Sequence, residues 1–107
     1  MRQPEVTFSD LAVADILAQA DWYEFQADEK LAKRWERDVT SSVLLLSKMP
    51  RAGASCRFKA EALQHIRRLP VRGFPSHLIF YQVLDNNRVH VLRVLHGARE
   101  LERLLSE

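Results

Sequence analysis

Leu31, Trp35, Val39, Val43 and Leu46 recur at spacings of three and four. That period stacks side chains along one face of an α-helix. Lys33, Arg34, Arg37 and Asp38 fall on the outside of the same helix, and Pro50 ends it. Upstream, Leu11, Ala14, Ala18, Trp22 and Phe25 repeat the spacing and predict a first helix with its own apolar face. Ser9 or Asp10 can cap that helix. Ala27-Asp28 interrupts the pattern, and Asp28 can cap the second helix, so the two form an antiparallel hairpin. Trp22 and Trp35 are expected to pack between them.

The remaining elements read as strands. Residues 6–8 form a short extended segment, with Pro4 suited to its beginning. Residues 50–63 show no clean period and read as a loop with room for a short helical turn. Residues 66–71 form a strand in which Pro70 implies an edge or a bulge. Residues 72–76 form a turn, and the nearly continuous apolar run 78–84 has the character of a central strand covered on both faces. Asp85-Asn86-Asn87-Arg88 suits a hairpin turn, because Asn tolerates positive φ. Residues 89–96 form the partner strand. Gly97 permits a break into a last helix, which Leu101, Leu104 and Leu105 can dock. The order β-α-α-β-β-β-α makes an α+β fold, with the helical hairpin packed on one face of a small antiparallel sheet. On the last strand, Val89, Val91, Arg93 and Leu95 alternate with His90, Leu92, Val94 and His96. Both sets contain apolar residues, so the face away from the helices is expected to be covered too, by a partner.

At 107 residues the chain is one domain, 1–107, large enough to bury well over half its unfolded surface. Apolar residues at 47% and charged residues at 28% give a globular balance. No apolar run approaches the roughly 20 residues that span a bilayer, and Met1-Arg2-Gln3-Pro4-Glu5 lacks the apolar core of a signal peptide. Cys56 is the only cysteine and has no Cys–His–acid setting. These features lead to the expectation of a cytoplasmic protein without membrane association.

A net charge of +2 is too mild to argue for nucleic acid by itself. Its distribution says more. From Arg51 to Arg72 there are six basic residues, Arg51, Arg57, Lys59, Arg67, Arg68 and Arg72, against the single acid Glu61. Such a region is either a solvated edge that discourages strand pairing or a surface for an anionic partner. Tyr81 reads as core. His65, His77, His90 and His96 lack metal spacing, and no Gly-rich phosphate loop is present, so no cofactor is expected.

Three segments carry a resemblance: Ile66-Arg67-Arg68-Leu69-Pro70-Val71-Arg72-Gly73-Phe74, Leu78-Ile79-Phe80-Tyr81, and Val94-Leu95-His96-Gly97-Ala98-Arg99-Glu100. With Leu11-Ala12-Val13-Ala14-Asp15-Ile16, Trp22-Tyr23 and Leu46-Ser47-Lys48-Met49-Pro50 ahead of them, the chain resembles the ParE/RelE superfamily of bacterial type II toxins over nearly its whole length. The resemblance implies a RelE-like fold and a hetero-oligomer with a cognate, ParD-like antitoxin. The ParE branch implies inhibition of DNA gyrase by binding, without sequence-specific nucleic-acid recognition. The RelE branch implies a ribosome-dependent mRNA endonuclease.

Cleavage through the 2′-hydroxyl needs a base, a cation on the phosphorane and an acid for the leaving oxygen. On the RelE reading, Arg67, Arg72, His96 and Arg99 would be catalytic, and His77 stands where such toxins tend to carry a basic clamp. The chain departs from that pattern. Its last helix, Arg99-Glu100-Leu101-Glu102-Arg103-Leu104-Leu105, has no tyrosine, and Arg67-Arg68 replaces a lysine pair. Arginine clamps phosphate but stays protonated, so it makes a poor base. The departures favour the ParE-like reading, with Arg67, Arg68, Arg72, Arg93, His96 and Arg99 binding the target and no catalytic residue. A third alternative is a diverged, non-toxic member that keeps only the antitoxin interface.

Overall fold

The computed structural model describes residues 5–58 and 61–97. Strand β1 (Val6–Phe8) leads into helices α1 (Asp10–Gln26) and α2 (Glu29–Lys48). Strands β2 (Ala54–Ser55), β3 (Arg67–Val71), β4 (Phe74–Val83) and β5 (Val89–His96) follow. Single 3₁₀ turns occur at Glu61–Leu63 and Asp85–Asn87. The five strands form one sheet in the order β1-β5-β4-β3-β2, with the helical hairpin packed on one face. The sheet is antiparallel except at its edge, where β1 runs parallel to β5 with Val6 opposite Val89. The short β2 lies in the stretch expected to be loop. The predicted last helix lies outside the described residues.

Both helices begin as their sequences dictate. The Ser9 hydroxyl accepts from the Ala12 N–H at 3.0 Å, and the Asp28 carboxylate accepts from the Leu31 N–H at 2.9 Å. Each such cap stabilises its helix by about 1 kcal/mol. Helix α2 buries the expected stripe, with Trp35, Val39, Val43 and Leu46 shielded and Leu31 half-buried. Trp35 is 0% exposed. Its indole N–H donates to the Ile16 carbonyl at 3.0 Å, and its ring meets Tyr23, Phe74 and His77 edge-on.

Helix α1 is rotated away from its expected orientation. The predicted inward face points to solvent: Leu11 is 56% exposed, Trp22 55% and Phe25 84%, and Ala14 and Ala18 are exposed too. The side that meets the sheet carries Ala12, Ile16, Ala20 and Tyr23. Trp22 therefore does not pack between the helices. Apolar residues occur on every side of helix α1, interspersed with polar ones, so its periodicity offered two candidate faces. Small Ala12 and Ala20 let the backbone approach the sheet closely, and the bulky residues stay outside.

The sheet also departs from simple alternation. Opposite Phe80 and Tyr81, β5 inserts an extra residue, so Tyr81 pairs with Val91 and Phe80 with Arg93. A bulge of this kind leaves one residue outside the ladder. Here the odd residue is Leu92, and its carbonyl accepts from the Ser9 hydroxyl at 2.6 Å. Beyond the bulge the faces exchange. Val89, Val91 and Val94 join the core under the helices, and Leu92 and Leu95 turn to the opposite face. On that face Phe80 and Ile66 pack with Phe58 and Leu63, which the 56–66 segment supplies. The chain thus covers part of the face expected to wait for a partner. Pro70 sits at a second register shift, as its missing N–H suggests. The turn before β4 is shorter than expected. Arg72-Gly73 makes it alone, with Gly73 at φ +82, and Phe74 already pairs with Val71.

Gly53 shows how tightly the α2–β2 connection packs. Its N–H donates to the buried Tyr81 hydroxyl at 2.9 Å. A Cβ at Gly53 would lie 2.6 Å from both the Arg68 carbonyl oxygen and that hydroxyl. Gly53→Ala should therefore destabilise the fold by about 3 kcal/mol or more through overpacking. Tyr81→Phe, which strands a buried N–H, should cost about 1–3 kcal/mol. Urea unfolding midpoints check both. An unchanged midpoint for Gly53→Ala would contradict the packing described.

Candidate functional site

The arginines singled out in the sequence follow the pleat of their strands, and the pleat separates them. Arg67 lies opposite Tyr81 and so shares the helix-side face. Arg68 lies opposite Phe80, on the other face. Adjacent strand residues point to opposite sides, so these two cannot converge on one ligand atom. Arg72 is exposed in the β3–β4 turn, where its backbone N–H donates to the Ser42 hydroxyl at 3.0 Å. Arg99 lies outside the described residues.

Arg93 is engaged within the fold. Its Nε and Nη2 donate to the two oxygens of Asp15 at 2.7 and 2.9 Å. The Val94 N–H donates to the same carboxylate at 3.0 Å. Both side chains are nearly shielded, at 14% and 13% exposed. Removing one partner from such a pair leaves the other unpaired in a poorly solvated place, at a cost of about 3–5 kcal/mol. The pair clamps α1 onto β5.

His96 is exposed at the end of β5, 5.2 Å centroid to centroid from the ring of His77. His77 itself is buried at 8% exposure against Trp35, Tyr23 and Phe74, and its Nδ1 has no hydrogen-bond partner among the described residues. It lines a groove of about 340 Å³ with Asp15, Trp22 and His96 and is not an exposed basic clamp. Burial pushes its pKa below the ordinary value, and the nearby His96 adds to the shift. Tyr81 is wholly buried, and burial raises its pKa. Burial likewise pushes the Cys56 thiol up, which disfavours the thiolate. Among the described residues no group of three or more His, Cys, Asp or Glu could hold a metal ion.

Two further surfaces stand out among the described residues. One is the outward face of α1, where Leu11, Leu17, Trp22 and Phe25 are exposed. It borders a groove of about 330 Å³ lined by Phe8, Ile16, Leu17, Val39, Val43 and Leu44. The other is a polar cleft of about 200 Å³ at the opposite end of β4 from His77, lined by Arg51, Ser55, His65, Arg67 and Val83. Sequence reasoning named Arg67 there but not Arg51 or His65. The signal available was Arg51 just past the Pro50 helix stop, within chain reach of the strand that carries Arg67.

The family model described as ParE toxin of type II toxin-antitoxin system, parDE, matches residues 6–101. Among solved structures, a chain of the chromosomal ParDE TA system from P. aeruginosa superposes with a TM-score of 0.70 at 17% identity. The superposition covers 88% of this chain and 96% of that one. No curated protein sequence matches.

The buried His77 makes stability depend on pH. An unfolded histidine titrates near 6.5, and the folded His77 titrates lower. Between those values the unfolded chain binds more protons. His77 therefore lends stability that is fully present above about pH 6.5 and is lost as pH falls through the folded value. His77→Phe removes the orphaned nitrogen and should flatten that slope without lowering stability at neutral pH. Urea midpoints taken on either side of pH 6.5 check it, and a slope unchanged in the variant would assign the dependence elsewhere.

Proposed function

Because the chain belongs to the ParE toxin family of type II toxin–antitoxin systems, we propose that it acts by binding: it inhibits DNA gyrase and is held inactive by a cognate, ParD-like antitoxin. The observation that carries the antitoxin half is the outward face of α1. Leu11, Val13, Leu17, Trp22 and Phe25 are all more than two-fifths exposed on one 17-residue helix. Exposed apolar surface of this extent marks a protein-interaction site. The adjoining groove between α1 and α2 suits the apolar side of an amphipathic helix, anchored at i, i+3/i+4 and i+7. The complex is then a hetero-oligomer in which the antitoxin, not a second layer of this chain, covers α1.

The target half rests on family membership and on where the candidate residues lie. Arg67, Arg68, Arg72 and His96 occupy separate faces and ends of the sheet, an arrangement suited to an extended protein surface. Arg93 supports that surface by fixing α1 to β5. His77 and Tyr81, which could supply an imidazole or a phenol, are packed in the core, and Arg67, Arg72 and His96 do not converge on one point of the sheet. This favours inhibition by contact over nuclease turnover. Among the described residues no helix is long and apolar enough to cross a membrane, in keeping with a cytoplasmic toxin.

Two measurements test the reading. Purified protein should block gyrase supercoiling of relaxed plasmid and leave ribosome-bound mRNA intact. Cut mRNA with normal supercoiling would make it a RelE-like nuclease. Trp22→Ala or Phe25→Ala should weaken the antitoxin complex by about 2 kcal/mol each, roughly thirtyfold, as buried aromatic anchors do. Because both side chains are exposed in the free chain, its urea midpoint should barely move. Unchanged affinity, read by titration calorimetry, would place the antitoxin on another surface.

A further inference from the structure

We propose that the cleft formed by Arg51, Ser55, His65 and Arg67 binds a phosphodiester group of a nucleic-acid backbone, without regard to sequence. The site is assembled from Arg51 in the α2–β2 connection, Ser55 at the end of β2, His65 two residues before β3, Arg67 at the start of β3 and Val83 at the end of β4. Its volume of about 200 Å³ accommodates one phosphate and its flanking sugar atoms but no base pair.

Two guanidinium groups supply the charge, and the fold holds each by one nitrogen. Arg67 Nη1 donates to the Gly53 carbonyl at 2.7 Å and more weakly to the Arg51 carbonyl at 3.5 Å. Arg51 Nη1 donates to the Asn87 side-chain oxygen at 3.0 Å. These contacts orient both side chains and leave the Nε and Nη2 donors of each without a protein acceptor among the described residues. The Ser55 hydroxyl adds a fifth donor, and the His65 imidazole also lines the site. His65 is held at φ +66, a left-handed conformation that costs a non-glycine residue about 1 kcal/mol or more.

No carboxylate among the described residues lines the cleft. Among the described residues the ion pairs are Lys33–Glu29, Arg34–Asp38 and Arg93–Asp15, so neither Arg51 nor Arg67 is neutralised. A planar fork of guanidinium donors matches the oxygens of a phosphate bidentately. Two forks and a hydroxyl offer more donors than the two oxygens of a carboxylate can use, whereas a phosphodiester presents two charged and two ester oxygens in a tetrahedral array. That favours a phosphate over an acidic peptide. Apart from the His65 imidazole, no described residue gives the cleft an aromatic wall on which a base could stack, so its contact is to the phosphate. Such a contact positions the partner and carries no sequence information. Arg68, on the other side of the same strand, and Arg88, just after the β4–β5 turn, are further exposed cations outside the cleft. This inference goes beyond the gyrase reading and does not depend on it.

The test uses the full chain and no gyrase. Anisotropy of short, labelled single-stranded DNA, RNA of the same sequence and a scrambled DNA is followed against protein concentration at several salt concentrations. All three should bind alike at low salt. Arg51→Gln should weaken each about tenfold, the worth of a charge-assisted contact, and lower the log–log salt slope by about one. Arg67→Lys, which keeps the charge but loses the fork, should weaken binding too. Lys33→Gln removes the same charge from the outer face of α2 and should change nothing. Urea midpoints confirm that each variant folds. No binding at low salt, equal losses for Arg51→Gln and Lys33→Gln, or a clear preference for one sequence or sugar would overturn the proposal. So would an oligoglutamate peptide that displaces the DNA more effectively than inorganic phosphate, because the site would then be one for carboxylates.

Discussion

The carboxylate of Asp15 decides how this molecule presents itself. It accepts three hydrogen bonds from β5, two from the Arg93 guanidinium and one from the Val94 N–H. A helix pinned at one residue by a bidentate pair cannot roll about its axis without breaking all three bonds. With Asp15 held at the edge of the contact, Ala12, Ile16, Ala20 and Tyr23 must meet the sheet and α2, and Leu11, Ala18, Trp22 and Phe25 must face away. Trp35 reinforces the same rotation from the other side, because its indole N–H donates to the Ile16 carbonyl. The exposed apolar face of α1 is thus a consequence of buried polar bonding rather than of poor packing.

The same clamp explains the bulge in β5. Asp15 takes its backbone bond from Val94, and Ser9 takes the Leu92 carbonyl while capping α1. Beside the extra residue, then, two polar groups of β5 are paired with the chain that enters and forms α1. A buried backbone polar group left unpaired would cost about 1–3 kcal/mol. The bulge is tolerable because α1 is there to receive those bonds. Its effect is to bring Val94 under the helices and send Leu92 and Leu95 to the face that Phe58, Leu63 and Ile66 cover. Two small cores back to back, with β4 between them, follow from that one inserted residue.

This also marks where sequence reading succeeds and where it stops. Helix α2 was legible because its polar and apolar residues are segregated, leaving one face to bury, and the caps at Ser9 and Asp28 follow from local hydrogen bonding. Asn86 and Asn87 adopt positive φ, as the residue type suggested. Helix α1 was not legible, because apolar residues surround it and the choice of face lies in a contact 78 residues away in sequence. The bulge at Leu92 has no glycine or proline to announce it. The parallel pairing of β1 depends on the sheet edge that β5 offers, which no local pattern encodes. For the site, period-two alternation already implied that Arg67 and Arg68 diverge. The grouping of Arg67 with Arg51 and His65 required knowing how the α2–β2 connection folds back on β3.

That fold-back links the two surfaces to different parts of the chain. The apolar face belongs to α1 and is set by Asp15 and Trp35. The basic cleft belongs to the connection after α2 and is set by Gly53, whose N–H meets Tyr81 and whose carbonyl meets Arg67. Neither uses a residue of the other. A partner helix on α1 therefore need not displace a phosphate at Arg51 and Arg67 by direct competition. Tyr81 touches both parts of the chain. It lies in the core that α1 and α2 cover, and its hydroxyl holds the loop from which Arg51 reaches. An antitoxin that tightened the helical layer against Tyr81 would act on the cleft without touching it. One that merely covered α1 would leave the basic surface open.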